Sequence, residues 1–89
     1  MRIVNKYTFK GSGIYIGRPS VWGNPFAIGR DGDRKEVIRK YELWIREPAQ
    51  TWLRVKAKVA LKGQCLICYC APLACHGDVL AKIALEEEV

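Results

Sequence analysis

The residue pattern predicts one small α/β domain: a short mixed or partly parallel sheet packed by three helices, in the order β-β-loop-α-α-β-α. Strand-like runs stand at both ends of the chain, around Ile3 to Ile16 and again from Cys65 to Cys70. Two amphipathic helical patterns fill the span between them, and a third follows the last strand. The 89 residues leave room for a single domain with a thin core, which three Trp, four Tyr and two Phe help to fill.

The first run has Ile3, Tyr7 and Phe9 two or four apart, on one face of a strand. Gly11-Ser12-Gly13 is a turn, and Ile14-Tyr15-Ile16 is a short β-rich run ended by Gly17. From Arg18 to Arg30 the chain is a loop, because Pro19 and Pro25 force the residues before them out of the helical region. Asp33 is a suitable N-cap for the first helix, with Glu36 placed for a capping box. Val37, Ile38, Tyr41, Trp44 and Ile45 form its apolar stripe, and Pro48 closes it. A second helix is expected from about Ala49 to Lys62, burying Trp52, Val55 and Val59 with Leu53, Ala60 and Leu61 alongside, and stopped by Gly63. Residues 65–70 are apolar on both faces, as a central strand covered on two sides would be. The last helix begins at Cys75-His76-Gly77-Asp78 and buries Val79, Leu80, Ile83 and Ala84.

Lys and Arg total 15 against nine acids, for a net charge of +6. Residues 1–30 contain no acid at all, and three of the nine acids, Glu86, Glu87 and Glu88, sit together near the end. A body this basic suits a polyanionic partner, either a nucleotide-like small ligand, nucleic acid or an acidic protein, although net charge also serves solubility alone. No apolar run is long enough for a membrane span, and residues 1–10 lack a signal-peptide core, so a cytoplasmic protein with no membrane partner is expected. Phosphate-binding glycine signatures, a nucleophile elbow and a magnesium-type acidic cluster are all missing from the pattern.

Two segments carry chemistry. The four Cys lie within eleven residues as C-x2-C-x-C-x4-C, followed at once by His76. Cys68 and Cys70 would share one strand face about 6.6 Å apart, too far for an easy disulfide, while Cys65 points the other way into the core. Three readings stay open for Cys68, Cys70, Cys75 and His76. They could ligate zinc, three thiolates and an imidazole meeting a tetrahedral ion. Cys75 at a helix start could be a thiolate nucleophile, with His76 as acid or base and Asp78 orienting it or simply occupying the first helical turn. They could equally be ordinary buried residues. In the loop, Arg18 offers a fork for phosphate, Trp22 a stacking face, and Ser20 and Asn24 hydrogen-bonding groups. The structural alternative has Trp22 and Phe26 plugging the core and Asn24 making an Asx turn with Pro25. Ligands bind open α/β sheets beyond the carboxyl ends of their strands, and both segments follow strands.

The runs Tyr15-Ile16-Gly17-Arg18-Pro19-Ser20-x-Trp22-Gly23-Asn24-Pro25-Phe26 and Cys68-Tyr69-Cys70-Ala71-Pro72-Leu73-x-Cys75-His76-Gly77-Asp78-Val79-Leu80 resemble domain of unknown function 4326, a family common in phage and bacterial genomes. Its members usually carry Trp where Tyr69 stands. The resemblance covers about residues 15–84 and implies a phage- or mobile-element-encoded protein, with Arg18, Trp22, Asn24, Cys68, Cys70, Cys75, His76 and Asp78 at its signature positions. It implies no activity, so three functional expectations follow. The first is binding, with or without processing, of a nucleotide-like or phosphate-bearing ligand between the two segments. The second is a zinc-stabilised nucleic-acid-binding module. The third is a protein-interaction factor that modulates a host enzyme.

Overall fold

The computed structural model describes residues 2–70 and 73–86. Three strands, β1 (Arg2–Asn5), β2 (Ile14–Tyr15) and β3 (Cys65–Cys68), form a sheet in the order β1-β3-β2. Both pairs are parallel, with Leu66 opposite Ile3 on one side and Ile14 on the other. The sheet is therefore wholly parallel, and all three carboxyl ends lie along one edge. Three helices, α1 (Arg34–Ile45), α2 (Thr51–Ala60) and α3 (His76–Leu85), pack on one another, and a 3-10 turn at Pro48–Gln50 joins the first two.

The helix ends obey local chemistry. Asp33 accepts from the Glu36 N–H at 2.9 Å and starts α1, while the Glu36 carboxylate turns away to Arg39 at 3.0 Å, so only half of the capping box forms. Val37, Tyr41 and Ile45 are buried, with Ile38 and Trp44 packed beside them. Val79, Leu80, Ile83 and Ala84 are buried on α3 as their spacing predicts. Leu66 and Cys68 of β3 are buried, whereas Cys65 and Ile67 are only half-buried. One face of the central strand is thus fully packed and the other only partly, and Cys65 is less enclosed than expected.

Helix α2 corrects the sequence reading more sharply. Its buried stripe is Leu53, Ala57 and Leu61, and Trp52, Val55 and Val59 are exposed. Two apolar stripes compete on this helix, one at i, i+3, i+7 and one at i, i+4, i+8. The second wins because Ala57 lets α2 approach its neighbours closely and because Lys58 can then reach the Ile83 and Glu86 carbonyls at the end of α3. Among the described residues no helix is long and apolar enough to cross a membrane.

Candidate functional site

Beyond the carboxyl edge of the sheet, the loop after β2, the start of α1 and Tyr69, Cys70, Ala74 and Cys75 border an open cavity of about 470 Å³. Phe26, Val37 and Ile38 give it an apolar wall, Tyr15 and Tyr69 flank it, and Cys68, Cys70, Cys75 and His76 line the side nearest the sheet. Arg18 and Arg34 supply its charges, and among the described residues no Asp or Glu lines it. Two guanidiniums with no compensating carboxylate make this space electropositive.

The imidazole is held from behind. His76 is 8% exposed and its Nε2 lies 2.7 Å from the Ile16 carbonyl. A carbonyl only accepts, so Nε2 carries the hydrogen and Nδ1 keeps its lone pair. Among the described residues nothing pairs with Nδ1, and no buried side-chain N or O atom lacks a partner, so Nδ1 is open to the cavity that His76 lines. Burial lowers the His76 pKa, and the Arg18 charge adds to that, against the Ile16 hydrogen bond and the charge of Asp78. Gly77 eases the arrangement: a Cβ there would stand 2.8 Å from Ile16 Cδ1 and 3.2 Å from Ile3 Cδ1, so a larger residue would make those methyl groups shift where the first turn of α3 meets the strands.

The structure gives Cys75 and Asp78 a helix-capping role in place of the catalytic one expected. Cys75 caps α3, its Sγ accepting from the Gly77 N–H at 3.3 Å, and Asp78 reaches back to accept from the Cys75 N–H at 3.3 Å. This is a capping box with a thiol in the usual hydroxyl position, and Asp78 serves it instead of orienting His76. The Cys75 Sγ also lies 3.5 Å from Cys68 Sγ. Burial pushes the Cys75 thiol up to about 12, outweighing the Gly77 N–H, which disfavours a Cys75 thiolate at neutral pH.

The zinc reading fails on the same geometry. Among the described residues no group of three or more His, Cys, Asp or Glu is arranged to hold a metal ion. His76 directs Nε2 to a backbone carbonyl, and Cys68 and Cys75 direct their sulfurs to each other and to a helix cap. Cys70 lines the cavity but does not complete a ligand set.

In the loop, Arg18 is the polar lining side chain without an internal hydrogen bond among the described residues. Ser20 donates Oγ–H to the Gly17 carbonyl at 2.6 Å and lies outside the lining, so its hydroxyl belongs to the turn. Trp22 is 5% exposed and absent from the lining, and its carbonyl accepts from the Tyr41 hydroxyl at 2.9 Å. It belongs to the core. Asn24 does line the cavity, but Oδ1 accepts from the Phe26 N–H at 2.9 Å, the expected Asx turn, and Nδ2 donates to the Val37 carbonyl at 3.1 Å. Phe26 is half-buried and forms wall instead of core plug. The Tyr15 hydroxyl donates to the Arg18 carbonyl at 2.9 Å and fixes that backbone, while the exposed guanidinium makes no hydrogen bond or ion pair among the described residues.

Arg34, Tyr15 and Tyr69 are site residues that sequence reasoning missed. Arg34 opens α1 directly after its cap, and Nη1 donates to the Ala74 carbonyl at 3.1 Å, clasping the two sides of the cavity. Its position one residue past Asp33 was the available signal, since a first-turn side chain beside a strand-end crevice projects toward it.

Fold and site together define a small, wholly parallel α/β protein with an arginine-lined cavity at the carboxyl edge of its sheet. The chain belongs to the family described as Domain of unknown function (DUF4326), whose sequence profile matches residues 2–86. A protein of Enterobacteria phage T4, described as an uncharacterized 12.4 kDa protein in the nrdA-td intergenic region, is 34% identical over 84 residues, which cover 92% of this chain and 75% of the phage protein. No solved structure matches the chain. The two motifs thus identified the family correctly, and its extent reaches beyond residues 15–84 on both sides.

Proposed function

We propose that this chain binds a nucleotide-like, phosphate-bearing ligand in the cavity, in a cytoplasmic setting that suits its free cysteines. One observation carries the reading: Arg18 and Arg34 both line an apolar-walled space in which no acid stands among the described lining residues. The guanidiniums take the phosphate, Arg18 through its unpaired fork and Arg34 through the donors left after its bond to Ala74. Phe26, Val37 and Ile38 cover the ring of the ligand, and His76 Nδ1 accepts from one of its N–H or O–H groups.

Calorimetric titration with thymidine monophosphate, thymidine and inorganic phosphate tests this. Saturable binding of the nucleotide, weakened about tenfold or more by Arg18→Ala and by Arg34→Ala, supports it. Equal affinity for nucleotide and nucleoside, or nucleotide binding that ignores both substitutions, overturns it.

A further inference from the structure

Each strand of the sheet delivers one tyrosine to the carboxyl edge. Tyr7 stands two residues beyond β1, Tyr15 ends β2, and Tyr69 follows β3 directly. The rings of Tyr7 and Tyr69 have centroids 5.2 Å apart, and those of Tyr69 and Tyr15 are 5.9 Å apart. Tyr15 and Tyr69 line the cavity, whereas Tyr7 does not and is 81% exposed. The cluster therefore runs outward from the cavity mouth into solvent.

It is also held in place. The Lys6 N–H extends the sheet pairing to the Cys68 carbonyl at 2.8 Å, Asn5 Oδ1 accepts from the Tyr7 N–H at 2.8 Å, and Asn5 Nδ2 donates to the Tyr69 carbonyl at 3.3 Å. Lys6 Nζ sits 5.5 Å from the centre of the Tyr15 ring, and Arg18 borders the same mouth. Apart from its contact with the Tyr69 ring, Tyr7 presents most of its surface to solvent, beside cations and outside the cavity. Such rings stack nucleobases in proteins that hold single strands, because every base presents a π-face.

We propose that the ligand is a nucleotide within a single-stranded nucleic acid: one residue enters the cavity and its neighbour stacks on Tyr7 and Tyr69, with Lys6 near the linking phosphate. This rests on the cavity reading above and extends it. A free mononucleotide would leave Tyr7 unused, and a duplex keeps its bases stacked on each other.

Titration of the full chain with thymidine monophosphate, tetrathymidylate and a short duplex at one fixed salt concentration tests it. Tetrathymidylate is expected to bind about tenfold more tightly than the mononucleotide and the duplex. Tyr7→Ala removes that excess and leaves mononucleotide affinity unchanged, and Tyr7→Phe retains it. Equal affinity for monomer and tetramer, a duplex bound as well as the single strand, or tetramer binding indifferent to Tyr7→Ala overturns the proposal. Tetramer binding that depends on Tyr7 but not on Arg18, with no mononucleotide binding, overturns the cavity reading and leaves the tyrosine platform standing. Absence of all binding overturns both.

Discussion

The segment from Cys68 to Asp78 and the loop from Gly17 to Phe26 border the same cavity with similar stocks of polar side chains. In the first, Cys75 and Asp78 close a helix cap, Cys68 lies against Cys75, and one nitrogen of His76 reaches Ile16. In the second, Ser20 and Asn24 close turns, but the Arg18 guanidinium makes no internal hydrogen bond or ion pair among the described residues. A polar group that spends its hydrogen bonds inside the protein holds the fold, and one that does not is available to a ligand. By that criterion His76 Nδ1 and the Arg18 fork are available, and α1 adds the donors that Arg34 does not spend on Ala74.

Substitutions at the two segments should therefore separate stability from binding. The largest loss is expected at His76→Ala, which strands the Ile16 carbonyl and leaves a void beside Tyr41. Urea unfolding should show a destabilisation of about 3 kcal/mol. Gly77→Ala should follow at about 1 kcal/mol by the same measurement, because its Cβ would displace the Ile16 and Ile3 methyl groups, a cost that the better helix propensity of alanine only partly offsets. If either variant unfolds like the parent chain, the strand-to-helix segment is less constrained than its contacts indicate.

Acid comes next. Burial holds the chain's one histidine below its usual 6.5, so the unfolded chain takes up a proton that the folded chain resists. Stability should fall as pH drops below 6.5 toward the folded value, a slope that His76→Gln should flatten in urea titrations at successive pH values. Asp31, held low by the Ala27 N–H, and Glu86, held low by Arg46, lose their contributions only further down, below the ordinary carboxylate values of 3.8 and 4.5. The smallest change in stability belongs to Arg18→Ala, within about 0.5 kcal/mol of the parent, despite its expected loss of nucleotide binding. A large destabilisation there would mean that Arg18 is structural and would erase the contrast between the segments.

The sequence by itself determined what neighbouring residues decide together. Asp33 and Gly63 bound the helices, Val37, Tyr41 and Ile45 on α1 and Val79, Leu80 and Ile83 on α3 set their buried faces, and two motifs identified the family. Capping and helical periodicity act within a turn or two, so they are written in adjacent residues. Tertiary structure decided the rest. It chose between two plausible stripes on α2, put Trp22 in the core, kept Cys75 a thiol, and brought Arg34 and three tyrosines to one edge. Those outcomes turn on desolvation and on contacts between distant residues, such as the bond joining His76 to Ile16 across 60 positions. Local pattern carries no record of which groups the folded chain will remove from water.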